Sequence, residues 1–419
     1  MTEMNYGFLE KLFRIQTGLS ISNVSEDLKW AKGNLSEIEN GKRKMSRENF
    51  DKFIGYYGIP FDFSLDKERT GRNLIIELGK SLIFQNYETE KRIKEYFYNH
   101  KSELEVSGAA FYALVLESYF ELSSSENQKG ASDLVYAENF LPAFSGDIRS
   151  LVLFLRGAEE ERRFHYNQAI HYYKKSLSCL DRTIWVQIDA LIIKRLGICT
   201  GKAESFSQGI LYLKSASEIF SKNRNYHQVA SADIEMARLF ICLMNYDFSL
   251  ALLDKVVNLD RNFITEKKYR QALKLKIRTL ILSGNYQEAI SYLSELPEQA
   301  SESVENALLK SWIFWMMDES SKALTILQSL RTRQMDPNEK LWFQLLKGSL
   351  SHNDDQTESA AVKLFRTSAK KYEWINLIFL FRALIQYYRD TDQDKKLVSM
   401  FESYLALLQH RIDIPLPLR

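Results

Sequence analysis

Gly18-Leu19-Ser20, followed after one short apolar-spaced segment by Leu28-Lys29-Trp30-Ala31-Lys32-Gly33-Asn34-Leu35-Ser36-Glu37-Ile38-Glu39-Asn40-Gly41-Lys42-Arg43, is the stretch whose reading decides the fold. Apolar side chains recur around it at helical intervals: Leu9 and Phe13, Val24 and Leu28, Leu35 and Ile38, then Phe50, Phe53, Ile54 and Tyr57. The punctuation agrees. Ser20 and Ser46 stand where N-caps belong, Gly41 can end a helix in a left-handed turn, and Gly58 with Pro60 closes the last one. Helices of about nine residues do not survive alone in water, so these four or five must share one small core.

Charge is distributed unevenly around that core. The whole chain of 419 residues carries a formal net charge of only +2, but six basic residues (Lys29, Lys32, Lys42, Arg43, Lys44, Arg47) face two acidic ones (Glu37, Glu39) in this segment. A local positive potential of this kind is the electrostatic footprint of phosphate attraction.

The segment resembles the lambda-repressor-like (Cro/C1, or XRE) helix-turn-helix family. Gly18-Leu19-Ser20, Leu28, Leu35-Ser36 and Ile38-Glu39-Asn40-Gly41-Lys42-Arg43 fall at that family's spacing, and Arg14 matches an arginine usually paired with the position of Glu39. The resemblance implies double-stranded DNA as partner, with base reading by Lys32, Gly33, Asn34 and Glu37 at the start of the recognition helix. Lys42, Arg43 and Lys44 are expected on phosphates. Three positions depart from the family: Lys29 stands where a turn glycine is usual, Ile21 where a glutamine is usual, and Ala31-Lys32 where Ser-Arg or Ser-Gln is usual. The competing reading is a helical adaptor that has lost DNA binding.

Beyond Arg72 only Pro142, Pro297, Pro337, Pro415 and Pro417 interrupt an almost continuous helical pattern, and a period emerges. Tyr166-x-x-Ala169, Phe206-x-x-Gly209, Tyr246-x-x-Ser249, Tyr286-x-x-Ala289, Ser320-x-x-Ala323 and Thr357-x-x-Ala360 place a small residue at intervals of 40, 40, 40, 34 and 37. An aromatic-x-x-small start to each second helix, with Leu196-Gly197 ahead of Gly209, resembles tetratricopeptide repeats. The strand-like alternation of Leu273-Lys274-Leu275-Lys276-Ile277-Arg278 is read as helix, because the period puts it inside a first helix.

The expectation is an all-α chain. Residues 1–66 form the helix-turn-helix domain, 67–71 a linker, 72–410 about eight or nine helical pairs in a right-handed tetratricopeptide-like superhelix, and 411–419 a tail. Carrying the repeat frame over, the groove would be lined by Lys194, Arg238, Gln271, Lys274, Arg278, Trp312 and Trp315. The cations would clamp acidic side chains or a peptide's terminal carboxylate and the tryptophans would give an apolar anchor; a solvated face with packed tryptophans is the plainer alternative.

Composition bounds the rest. Cys179, Cys199 and Cys242 are scattered singly, which fits a reducing cytoplasm and offers no zinc spacing. No segment is long and apolar enough to suggest a membrane span, since the run Leu377–Leu380 is cut by Arg382. The six histidines are dispersed, and no phosphate loop, nucleophile motif or metal motif is present, so neither catalysis, cofactor nor metal is expected.

In architecture the whole chain is similar to the peptide-pheromone-responsive regulators of Gram-positive bacteria, the Rap/Rgg/NprR/PlcR/PrgX group. That resemblance implies a cytoplasmic homodimer in which a short signalling peptide, bound by the repeats, alters operator engagement in quorum sensing. The alternative is a scaffold controlled by a protein partner such as a phage antirepressor, without any small peptide. A response-regulator phosphatase of the Rap type is disfavoured, because those carry a helical bundle where this chain carries the helix-turn-helix pattern.

Overall fold

The computed structural model describes residues 5–123, 129–295, 303–396, 398–399 and 402, and among these every regular element is helical. The end of the expected repeat domain and the 411–419 tail lie outside the described residues. The chain forms two compact units, Met1–Ile192 and Ile193–Arg419.

The first unit opens with α1 (Tyr6–Gln16), α2 (Ile21–Asp27), α3 (Lys32–Glu39) and α4 (Arg47–Tyr57). Ser20 caps α2 by accepting from the Asn23 N–H at 3.1 Å, and Ser46 caps α4 through the Asn49 N–H at 3.3 Å. The residues spaced for burial do meet: Leu9, Phe13, Val24, Leu35, Ile38, Phe50, Phe53 and Ile54 are all buried. Gly7 lets α1 lie directly on α3, since a Cβ there would fall 2.7 Å from the Ile38 carbonyl oxygen.

The helix that follows corrects one expectation. Residues 67–71 are not a linker but the second turn of α5 (Leu65–Phe84), and Gly71 is a packing contact, its Cβ position 2.8 Å from that of Ala109. The Tyr112 Cβ lies 3.1 Å from the same position, so α5 closely approaches this part of the chain. The unit continues with α6 (Tyr87–Glu105), α7 (Ala110–Ser123), α8 (Lys129–Glu138), α9 (Gly146–Arg162) and α10 (Tyr166–Ser178). The buried Asp147 carboxylate, near the start of α9, ties down the chain after α10 by accepting the N–H groups of Asp181, Arg182, Thr183 and Ile184 at 2.7–3.1 Å.

Helix α11 (Ile188–Ala203) leads into the second unit. There follow α12 (Phe206–Lys222), α13 (Tyr226–Cys242), α14 (Tyr246–Val257), α15 (Glu266–Ser283), α16 (Tyr286–Glu295), α17 (Val304–Met316), α18 (Ser320–Ser329), α19 (Pro337–Leu350), α20 (Asp354–Lys370) and α21 (Trp374–Asp390). Helices α10, α12, α14, α16 and α18 begin at Tyr166, Phe206, Tyr246, Tyr286 and Ser320, the first residues of the repeated motif. Only α20 starts earlier, at Asp354, because Asn353 caps it through the Gln356 N–H.

The small residues act where paired helices cross. A Cβ on Gly209 would lie 2.7 Å from the Gly201 Cα, and Ser249, Ala289 and Ala323 have no exposed surface. Turns within pairs pass through one left-handed residue, as at Met244, Gly284, Asp318 and His352, and glycine supplies it only once among these four. Leu273 to Arg278 lie within α15.

Candidate functional site

On the first unit α3 is fixed from behind. Glu39 points inward and takes two hydrogen bonds from Arg14, Nε to Oε1 at 2.6 Å and Nη2 to Oε2 at 2.7 Å, while Arg14 Nη1 donates to the Leu19 carbonyl at 2.8 Å. One guanidinium thus joins the end of α1, the entry to α2 and the last turn of α3. The glutamate that looked like part of the charged surface is removed from it.

What remains outside is the expected set. Lys32, Gly33, Asn34 and Glu37 are exposed on α3, and Lys42, Arg43 and Lys44 are exposed just beyond it. Gly33 has no heavy atom near its Cβ position, so this face is open. Lys29 takes the turn between α2 and α3 in the left-handed conformation, with φ at +54°. The turn has the backbone shape that favours glycine, with lysine in that place.

Glu10 sits behind the same helices with no exposed surface. Its Oε1 accepts from the Tyr57 hydroxyl at 2.5 Å, and its Oε2 has no partner. Burial, reinforced by the neighbouring Glu39 charge, pushes its carboxyl up to about 8. Arg14 is committed to Glu39, so one cation serves two carboxyls and Glu10 keeps its proton at neutral pH.

In the second unit the expected groove residues do not form one open stripe. Lys194 is buried and bonded to Gln228, with the Ser231 hydroxyl at 3.4 Å. Arg238 pairs with Glu235 at 3.4 Å, Lys274 with Glu305 at 2.7 Å, and Gln271 is half-buried. Trp312 and Trp315 are both packed between helices and buried, and Trp315 Nε1 donates to Asp390 at 3.1 Å.

Trp312, Trp315 and Arg278 share a neighbour in α21, a largely apolar helix. Trp374 Nε1 donates to the Lys202 carbonyl at 3.0 Å, Arg278 Nη2 to Asn376 Oδ1 at 2.6 Å, and Arg382 to the Tyr246 hydroxyl at 3.3 Å. Phe379 meets the Trp312 ring edge to face at 5.3 Å. Helix α21 thus spans partners from α11 to α17, with ten of its residues buried.

Two cavities flank the Arg278–Asn376 contact. One, of about 280 Å³, is lined by Glu305, Leu308, Trp312, Asp336, Glu339, Trp342 and Phe379 among others, and the second, of about 240 Å³, by Lys202, Glu235, Arg238, Cys242, Glu373 and Trp374 among others. Arg278 and Asn376 line both. Desolvation lowers the Arg278 and Lys268 pKa values below the ordinary range, and Arg238 and Arg195 deepen the effect on Lys268. The two linings together carry three cations, Lys202, Arg238 and Arg278, against five carboxylates, Glu235, Glu305, Asp336, Glu339 and Glu373. Among the described residues no group of three or more His, Cys, Asp or Glu side chains could hold a metal ion, and no helix is long and apolar enough to cross a membrane.

No family model matches the chain, and no curated relative does. Solved structures do. A Rap protein complexed with competence and sporulation factor superimposes with a TM-score of 0.63 at 13% identity, over 83% of this chain and 100% of that one. The apo quorum sensor NprR from B. thuringiensis gives 0.61 at 12% identity, over 81% and 99%, and NprR with its cognate peptide NprX gives 0.54 at 11%, over 81% and 99%. The chain therefore has the all-helical repeat fold of these regulators. The likeness is one of fold. Trp342, Asn376 and Phe379 were not anticipated as lining residues; Trp342 and Asn376 lie where the repeat interval departs from 40, and Phe379 reads as core.

Proposed function

We propose that this chain is a cytoplasmic, homodimeric, DNA-binding transcriptional regulator whose repeat unit binds a short signalling peptide and thereby changes its engagement of an operator. One observation carries the reading. An exposed recognition-helix face, Lys32 to Glu37 with Lys42 to Lys44 beside it, is held by the Arg14–Glu39 pair in the same chain as a repeat fold shared with regulators crystallised on short peptides.

Lys32 and Asn34 are assigned to base edges and Lys42, Arg43 and Lys44 to phosphates. The groove residues Lys194, Arg238, Gln271, Lys274, Arg278, Trp312 and Trp315 act together with α21, which contacts several of them. A peptide shifts the operator equilibrium only by its differential affinity for two arrangements of the chain. Because α21 contacts Arg278, Trp312 and Trp315, repositioning α21 is the change a peptide would couple to.

The test is binding of the purified protein to fragments of its own upstream region across a salt series, with and without peptides from neighbouring short reading frames. Sequence-preferring binding with a steep salt slope, shifted by one peptide, is expected. Salt-sensitive binding without preference, or none, refutes the DNA-reading assignment. In that case a scaffold for a protein partner becomes the better reading.

A further inference from the structure

A further cavity, of about 200 Å³, lies within the first unit, where α1, α5, α7 and the start of α9 come together. Its floor follows from the packing at Gly71. Without a side chain there, the Tyr112 ring lies across α5, its Cδ2 only 3.1 Å from where a Cβ would stand. Glu68 and Arg72 flank that contact, four residues apart and so on one face of α5, and all three side chains line the cavity.

Glutamate followed four residues later by arginine is the order that favours an ion pair on a helix. Here the pair is not made. Among the described residues neither Glu68 nor Arg72 forms an ion pair or hydrogen bond, the Tyr112 hydroxyl forms no hydrogen bond, and the adjacent Arg69 is paired with Asp66. Glu68 is half-buried, and burial holds its carboxyl above the ordinary range although Arg72 and Arg69 act the other way. Burial also raises the Tyr112 hydroxyl, with the Glu68 charge adding to the effect and Arg72 opposing it, so the three groups share one electrostatic neighbourhood and the phenol stays a donor at neutral pH.

The rest of the lining is largely apolar. Leu9, Phe111, Phe144 and Ile148 are all buried, with the Phe144 ring centre 6.0 Å from that of Phe111 and 6.3 Å from that of Tyr112. One carboxylate, one guanidinium and one phenol O–H, balanced in charge beside a hydrocarbon wall, are the complement of a small zwitterion with an apolar body. Size narrows the choice. A volume of about 200 Å³ falls below the about 300–1,000 Å³ of drug-sized sites, which suits one amino acid and not a chain of several.

We propose that this cavity binds a free α-amino acid with an apolar side chain, its ammonium on Glu68, its carboxylate on Arg72 and the Tyr112 hydroxyl, and its side chain among Leu9, Phe111, Phe144 and Ile148. One wall is α1, which Gly7 seats on α3, so the bound amino acid ties α1 to the helices behind it and stabilises the first unit by mass action.

The test is calorimetric titration of the full chain with free leucine, isoleucine, methionine and phenylalanine, and with glutamate and lysine as charged comparators. N-acetyl-leucine and leucinamide, which each lack one of the two ligand charges, complete the set. The apolar free amino acids are expected to bind and to raise the protection of α1 amides against hydrogen exchange, and the blocked and charged compounds to bind at least about tenfold more weakly. Glu68→Gln and Arg72→Gln lie at positions with solvent access and should leave the fold intact. Each should weaken leucine about tenfold; only Glu68→Gln should erase the discrimination against N-acetyl-leucine, and only Arg72→Gln that against leucinamide. No binding of any free amino acid at millimolar concentration, equal binding of the blocked or charged compounds, or discrimination unchanged in both variants overturns the site. Each of those results leaves the operator and peptide assignments standing, since none of their residues lines this cavity.

Discussion

Replacing Glu10 by glutamine should stabilise the α1–α4 bundle, and by an amount that depends on pH in a calculable way. The carboxyl is raised from 4.5 to about 8, chiefly by burial. A raised carboxyl binds its proton more tightly folded than unfolded. Its contribution is therefore fully present below pH 4.5 and is lost as pH rises toward 8, because the unfolded chain ionises freely while the folded one must hold the proton or bury a charge. At 1.36 kcal/mol per pKa unit the penalty is under about 1 kcal/mol at pH 5 and about 3 kcal/mol at pH 7. It levels off above pH 8. Glutamine does not titrate and keeps an oxygen for the Tyr57 hydroxyl, so Glu10→Gln should escape the penalty. Hydrogen exchange of the α1–α4 amides, corrected for intrinsic rates, measures this locally. Protection in the variant should exceed that of the parent a few-fold at pH 5 and about a hundredfold at pH 7. A difference independent of pH would refute a buried, proton-holding carboxyl behind α3.

Three further outcomes follow from the geometry. Lys29→Gly relieves a left-handed lysine at φ +54° and should raise stability by about 0.5–1 kcal/mol after the added unfolded-state entropy of glycine, read as protection of α2 and α3 amides. Asp147→Asn turns one of the two accepting oxygens into a donor, leaving two of the four backbone N–H groups without their acceptor, and should destabilise the first unit by about 2–3 kcal/mol in urea unfolding. Desolvation opposes ionisation there but the N–H bonds outweigh it and hold the pKa below 3.8, so that stability is present above the unfolded pKa and is lost as pH falls through the folded one. Asn34→Ala should relax preference at one operator position by about 1–3 kcal/mol, whereas Lys42→Ala should weaken all sequences alike and reduce the salt slope by about one, both measured by competition anisotropy.

The sequence by itself determined the helices, their caps and their pairing. Ser20, Ser46, the 40-residue interval of small residues and the apolar stripes are local signals, and local signals survive into structure because each acts within a turn or between adjacent helices. Arg14 and Glu39 were legible as a pair only through the family pattern, yet they meet as that pattern implies. The misread linker shows the limit: residues 67–71 continue α5, and Gly71 is used for contact with Ala109 and Tyr112, a contact between distant positions that no local signal announces. The candidate site was legible only as scattered cations and tryptophans. Tertiary structure alone decided that α21 lies against Arg278, Trp312 and Trp315, that Lys194 is buried and paired, and that Trp312 Nε1 and Arg278 Nε end buried without partners. Those facts depend on residues 34 to 98 positions apart being brought together, and on the desolvation that follows. A periodic sequence encodes each neighbour; what the chain leaves unsatisfied emerges only when all neighbours are in place.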